Sequence, residues 1–129
     1  MAQQTSQQSN KDLVLGLLKM AFVDGKPKEA AAKYTGPYKQ HNPTVADGPE
    51  GLVQFAMAMG KQYPKMTYDI KRTFQDGDFV IVHANLKTDP KERGMAVVDI
   101  FRCQAGKVVE HWDVMQQVPE TSMNKNTMF

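Results

Sequence analysis

The hydrophobic period of this chain changes once, at Pro64, and that change limits the folds open to it. Before Pro64, apolar residues recur at helical spacing. Leu52, Phe55, Ala56, Met59 and Tyr63 fall at i, i+3, i+4, i+7 and i+11, one stripe of a helix from about Pro49 to Tyr63. Leu13, Leu17, Met20 and Ala21, widened by Val14 and Leu18, mark an earlier helix over "KDLVLGLLKMAFVDG". Asn10 is its expected N-cap, and Asp24-Gly25 ends it. A short helix, "KPKEAAAKY", carries Pro27 in its first turn. The following "TGPYKQHNPTVADGPEG", with three prolines and three glycines, reads as a loop.

After Pro64 the period is two. "MTYDIKRTFQ" and "DFVIVHANLKT" flank Asp76-Gly77, a strong hairpin signal. "GMAVVDIFRCQ" and "KVVEHWDVMQQV" flank Ala105-Gly106, a second hairpin. Helices first and a four-strand antiparallel meander afterwards predict an α+β domain, with helices on one face of a curved sheet.

That domain is expected over residues 11–129. Residues 1–10, "MAQQTSQQSN", are polar and predicted disordered, with neither the basic nor the apolar region of a signal peptide. No apolar run suits a bilayer span. With 41% hydrophobic and 23% charged residues the composition is that of a soluble protein, expected in the cytoplasm. The basic and acidic residues, 16 and 14, are interleaved, so nucleic acid is not an expected partner. Cys103 stands alone, which rules out an intramolecular disulfide and a cysteine-based zinc site; it reads as an apolar filler.

Strand side chains alternate between faces. On the last strand Val109, His111, Asp113 and Met115 share one face, and Val108, Glu110, Trp112, Val114 and Gln116 the other. Val97, Asp99 and Phe101 go together on the strand before, and Phe79, Ile81, His83 and Asn85 on the strand before that. If these faces turn inward, His83, Asp99, His111 and Asp113 converge. A buried carboxylate needs a partner, and an imidazole at strand spacing supplies one. Apolar surroundings favour a neutral carboxyl, which suits a general acid or base. The same four residues would equally suit a solvated face or a polar subunit interface. Tyr38 and His41, taken alone, are ordinary polar loop residues.

Together, "YKQHNPTVADGPEG", "DFVIVHANL", "MAVVDIFRCQAGKVVEHWDVMQQVPE" and "NKNTMF" resemble the SnoaL-like polyketide cyclase family of the nuclear-transport-factor-2-like superfamily, over nearly everything from Lys11 to Phe129. The resemblance implies a conical α+β barrel: about three N-terminal helices packed on a strongly curved antiparallel sheet, with an internal pocket. It also implies a homodimer formed through the sheet. The implied chemistry is ring closure by intramolecular aldol condensation, with no cofactor, organic or metal. By position Asp113 resembles the acid/base carboxylate of the last strand. The family pairs that carboxylate with a histidine on the preceding strand, where this sequence offers Asp99, with His83 and His111 as other candidates. Tyr38 and His41 would contact substrate at the pocket mouth. Phe55, Met59 and Phe101 would form apolar wall, whereas Trp112 has the wrong parity to share a pocket with His111.

Three readings of function stand side by side. One is a cyclase, isomerase or lyase acting on a carbonyl compound. Another is a small-ligand-binding or protein-docking module of the same fold. The third is a metal site built from His41, His83 and His111 with two aspartates, although no H-x-H or H-x-x-x-H pair exists and its ligands would come from three separate segments.

Overall fold

Ser9, not Asn10, caps the first helix. Its hydroxyl accepts the Asp12 amide at 3.1 Å, satisfying one of the unpaired N–H groups of the first turn. The computed structural model describes residues 8–129; the expected tail therefore falls mostly on residues outside the described ones. Helix α1, Asn10–Leu18, buries Leu13, Val14, Leu17 and Leu18. It runs straight into a π-helical turn, Lys19–Val23, where the Asp24 amide donates to Lys19 O at 2.9 Å. The single helix expected here is thus two winds of different pitch.

Helix α2, Pro27–Tyr34, starts on its proline and buries Ala30, Ala31 and Tyr34. Tyr34 packs across Gly16: a Cβ at Gly16 would lie 2.6 Å from the phenol oxygen, so the two helices can approach only over a glycine. Helix α3, Gly48–Gln62, buries Leu52 and Ala56. No helix among the described residues is long and apolar enough to cross a membrane.

The segment expected to be loop forms a strand at its start. Thr35–Gln40 is β1, paired in parallel with the last strand. Its Gly36 and Pro37 read as breakers, but β1 lies at the edge of the sheet, where a missing amide donor is tolerated. Strands β2 (Thr67–Asp76), β3 (Phe79–Lys87), β4 (Met95–Gln104) and β5 (Lys107–Gln117) form the expected antiparallel meander. The sheet order is β1-β5-β4-β3-β2, so the sheet is mixed rather than purely antiparallel. It is curled around the helices but not closed, with β1 and β2 as its two edges.

The β2–β3 turn is Gly77-Asp78, one residue later than expected, because Asp76 still pairs with Phe79. The β4–β5 turn is Ala105-Gly106, with φ of 51° and 74°, the left-handed pair that a twisted two-residue hairpin demands. The core lies between helices and sheet: Val14 and Leu17 of α1 meet Val80, Val82, Ala84, Phe101, Cys103 and Val108. Cys103 is 1% exposed, and burial, then the nearby Asp78 carboxylate, pushes its thiol up to about 11. It is a core filler.

Candidate active site

The inner face of the sheet holds a cavity of about 90 Å³. Leu17, Leu18 and Phe22 close it from the first helix and the π turn, and Leu52 and Phe55 from α3. Leu86, Val97 and Phe101 line the sheet side. Into this apolar space project the polar groups of four strands and one loop: Tyr68 of β2, Asp99 of β4, His111 and Asp113 of β5, Tyr38 and Gln40 of β1, and Asn42 just beyond.

Strand register brings the ionisable groups together. Asp99 and Asp113 are direct cross-strand partners, and so are Phe101 and His111. His111 Nε2 lies 2.8 Å from Asp99 Oδ1 and 3.8 Å from Asp113 Oδ2. The Tyr68 hydroxyl donates to the other Asp99 oxygen. The Asn42 amide nitrogen contacts both Asp113 oxygens, at 2.9 and 2.8 Å. Asn42 is oriented by its own turn: its side-chain oxygen accepts the Thr44 backbone N–H at 2.8 Å and the Thr44 hydroxyl at 2.7 Å, so only its nitrogen can face the carboxylate. Tyr38 stacks on the His111 ring at 6.3 Å and Phe101 leans on it at 4.8 Å. Both tyrosines have their pKa raised by burial and then by the Asp99 charge, so both hydroxyls stay protonated as donors.

His111, Asp99 and Asp113 therefore meet, as the strand alternation suggested, with Tyr38, Phe55 and Phe101 around them. His83 does not join them. Asp99 faces inward, its cross-strand partner is Val82, and His83 is consequently on the outer face, against Arg72 and the Phe129 ring. His41 is also outside. It follows Gln40 on the edge strand with opposite parity, bonds Glu110 at 2.7 Å and stacks on Trp112 at 4.7 Å. Met59 sits half-buried on α3 away from the cavity, which that helix lines with Leu52 and Phe55 instead.

Gln40, Asn42 and Tyr68 are site residues that the sequence reading passed over. The signal for two of them was alternation: once "YKQHN" is read as strand, Tyr38, Gln40 and Asn42 share a face and His41 is excluded. Tyr68 stood in a strand whose inner face was not assigned.

A three-histidine metal site is not assembled, because His41 and His83 lie on the opposite face of the sheet. The donor atoms of Asp99, His111 and Asp113 do fall within 4.8 Å of one another, a spacing open to a cation. Each is already engaged, however: His111 Nε2 with Asp99, and Asp113 with Asn42. What the arrangement presents is an imidazole hydrogen-bonded to one carboxylate and beside a second, in a largely apolar cavity.

No curated protein matches the chain. Solved structures of the same fold are found. An NTF2-like protein of unknown function from Cytophaga hutchinsonii superposes with a TM-score of 0.70 at 16% identity, over 88% of this chain and 95% of that one. IdmH from Streptomyces antibioticus, a candidate polyketide cyclase, gives 0.66 at 18%, over 84% and 92%. A candidate polyketide cyclase from Bacillus cereus gives 0.70 at 20%, over 89% and 78%. At these identities the likeness is one of fold. The SnoaL-like domain matches residues 14–111, from the first helix to the central histidine of the site, and the chain belongs to that family.

Proposed function

We propose that this protein is an enzyme that runs cofactor-free acid/base chemistry on a neutral carbonyl compound. The reading rests on one observation above all: the hydrogen-bonded His111–Asp99 pair with Asp113 3.8 Å from the same imidazole nitrogen, inside an apolar cavity. Asp113 is the base. Asn42 holds it, and its remaining lone pairs take the proton α to the carbonyl. The proton shared between His111 and Asp99 is the one given up to the oxygen on which negative charge develops. In an aldol-type ring closure the new carbon–carbon bond forms from the enolate, the shared proton goes to the resulting alkoxide, and the proton taken by Asp113 passes back to the His111–Asp99 pair 3.8 Å away. In an isomerisation Asp113 returns the same proton to another carbon. The substrate is not an anion, because the cavity is lined by two carboxylates and no lysine or arginine.

The test is turnover of a panel of neutral 1,3-dicarbonyl and enone compounds by the protein and by Asp113→Asn. Loss of turnover with retained binding supports the reading, and activity should withstand a chelator. Ligand binding without turnover in the unaltered protein would make it a binding module instead, and chelator-sensitive turnover would make the three-residue cluster a metal site.

Part of the outer face of the sheet is apolar and open: Phe74, Phe79 and Val114 are exposed beside Ile81, Ile100 and Trp112. A second copy of the chain covers this face in our reading, since a patch of this kind seldom stays bare. Val114→Glu places a charge on this patch. Sedimentation of that variant should show a monomer where the parent is a dimer, and a monomeric parent would refute the pairing.

A further inference from the structure

We propose that Gln40 is a positioning residue that fixes the His111 ring in its Nδ1–H form, leaving one mobile proton on the line between His111 Nε2 and Asp99 Oδ1. This rests on reading that pair as the proton-transfer group of the site.

The inference follows from a chain of donors that admits one solution. The backbone amide of Asn42 can only donate, and it lies 2.9 Å from Gln40 Oε1. The Gln40 atom at that place is therefore its oxygen, and the side chain cannot be flipped. The same oxygen lies 2.8 Å from His111 Nδ1. An amide oxygen only accepts, so Nδ1 carries a hydrogen whether the ring is neutral or cationic. On the other side of the ring, Asp99 Oδ1 stands 2.8 Å from Nε2, and Asp99 Oδ2 is filled by the Tyr68 hydroxyl. One proton occupies the Nε2–Oδ1 line. It sits on the nitrogen, giving an imidazolium and a carboxylate, or on the oxygen, giving two neutral groups.

Gln40 is itself held from both ends. Its backbone N–H donates to Asp47 Oδ1 at the start of α3, at 2.8 Å, and its side chain caps the Asn42 amide. Tyr38, Phe101, Asp99 and Asp113 also stand against His111, and Nδ1 is hydrogen-bonded to Gln40 rather than to any of them. Without Gln40 the neutral ring is free to hold its hydrogen on Nε2 permanently, pointed at Asp99, and the pair loses its exchangeable position. The edge strand thus does for the imidazole what the following turn does for Asp113: Gln40 sets one group and Asn42 the other.

The test is nitrogen-15 NMR of histidine-labelled protein, with His111 assigned by difference against His111→Gln. In the unaltered protein Nδ1 is expected to be of the protonated type, coupled to a slowly exchanging hydrogen. Gln40→Met, of similar length but with no oxygen, should shift the ring toward the Nε2–H form. Gln40→Glu returns an acceptor to the same place and should restore Nδ1–H. On any substrate turned over, Gln40→Met should lower kcat by about 10²-fold with KM little changed, with recovery in Gln40→Glu. A bare Nδ1 in the unaltered protein overturns the proposal. So does a folded Gln40→Met whose ring hydrogen stays in place. Should Gln40→Met fail to fold, the unaltered protein and Gln40→Glu still decide it, since both must show Nδ1–H. The expected ring form in a protein that turns over no carbonyl compound would leave the tautomer assignment standing and sink the enzymatic reading alone.

Discussion

Strand β5 carries a histidine–carboxylate contact on each of its faces, and the two are nearly identical in length. Inside, His111 meets Asp99 at 2.8 Å; outside, His41 meets Glu110 at 2.7 Å. Glu110 and His111 are neighbours in the chain. The inner side chains are 10% and 8% exposed, the outer ones 34% and 13%. The outer carboxylate also has Arg102 on its second oxygen at 2.8 Å, whereas the inner one has a neutral phenol there and another carboxylate nearby. Equal distance therefore means unequal chemistry. The outer pair is a solvent-screened clasp with a resident cation. The inner pair has no permanent positive charge to neutralise it, so its charge state depends on where one proton lies.

The largest expected effect that would sharpen this contrast is on turnover. Asp113→Asn should lower kcat by on the order of 10²–10⁴-fold while thermal unfolding stays within a few degrees of the parent. Next is stability: Asp99→Ala strands a buried imidazole and a buried tyrosine hydroxyl, and should cost ~3 kcal/mol in urea unfolding. If it costs less than about 1 kcal/mol, the inner pair behaves as a surface pair and the contrast breaks. Glu110→Gln, by comparison, should cost under about 1 kcal/mol and leave turnover intact.

The smallest effect is on pH dependence. Hydrogen bonds from His41 and then from Arg102 hold the Glu110 carboxyl below the usual carboxylate range. Its folded pKa is thus lower than its unfolded one, so its contribution is complete above the ordinary carboxylate pKa of about 4.5 and is lost as pH falls through the lowered value. Urea midpoints from pH 6 downward should fall less steeply in Glu110→Gln than in the parent. Parallel curves would show that the outer clasp contributes nothing measurable.

Most of the fold was legible because its two periods are clean. The helical stripe from Leu52 to Tyr63 and the four alternating runs after Pro64 each correspond to an element in the structure. The exception, β1, was hidden by Gly36 and Pro37, whose local preferences are overruled by pairing with β5 at a sheet edge. That one omission cost two site residues. Taken as loop, "YKQHN" offered its histidine; taken as strand, it offers Gln40 and Asn42. His83 was misplaced for a related reason. Alternation groups residues by face but does not say which face is inner, and only the register of Val82 against Asp99 settles it. Asp99, His111 and Asp113 were legible because two adjacent strands interrupt an apolar run, one with a single ionisable group and the other with a pair.

The π-helical turn at Lys19–Val23 bears on how such a chain can vary in length. A π turn closes its backbone ring with one residue more than an α turn, so the surplus residue is absorbed within a single wind. Excision of one exposed residue, Lys19, would convert that wind to the ordinary pitch. Leu17 before it and Phe22 after it would still face the same wall. The turn is a splice point where a residue can be gained or lost without re-threading the domain, and it lies over the cavity, where a small change in the roof would alter which ligand shape is admitted.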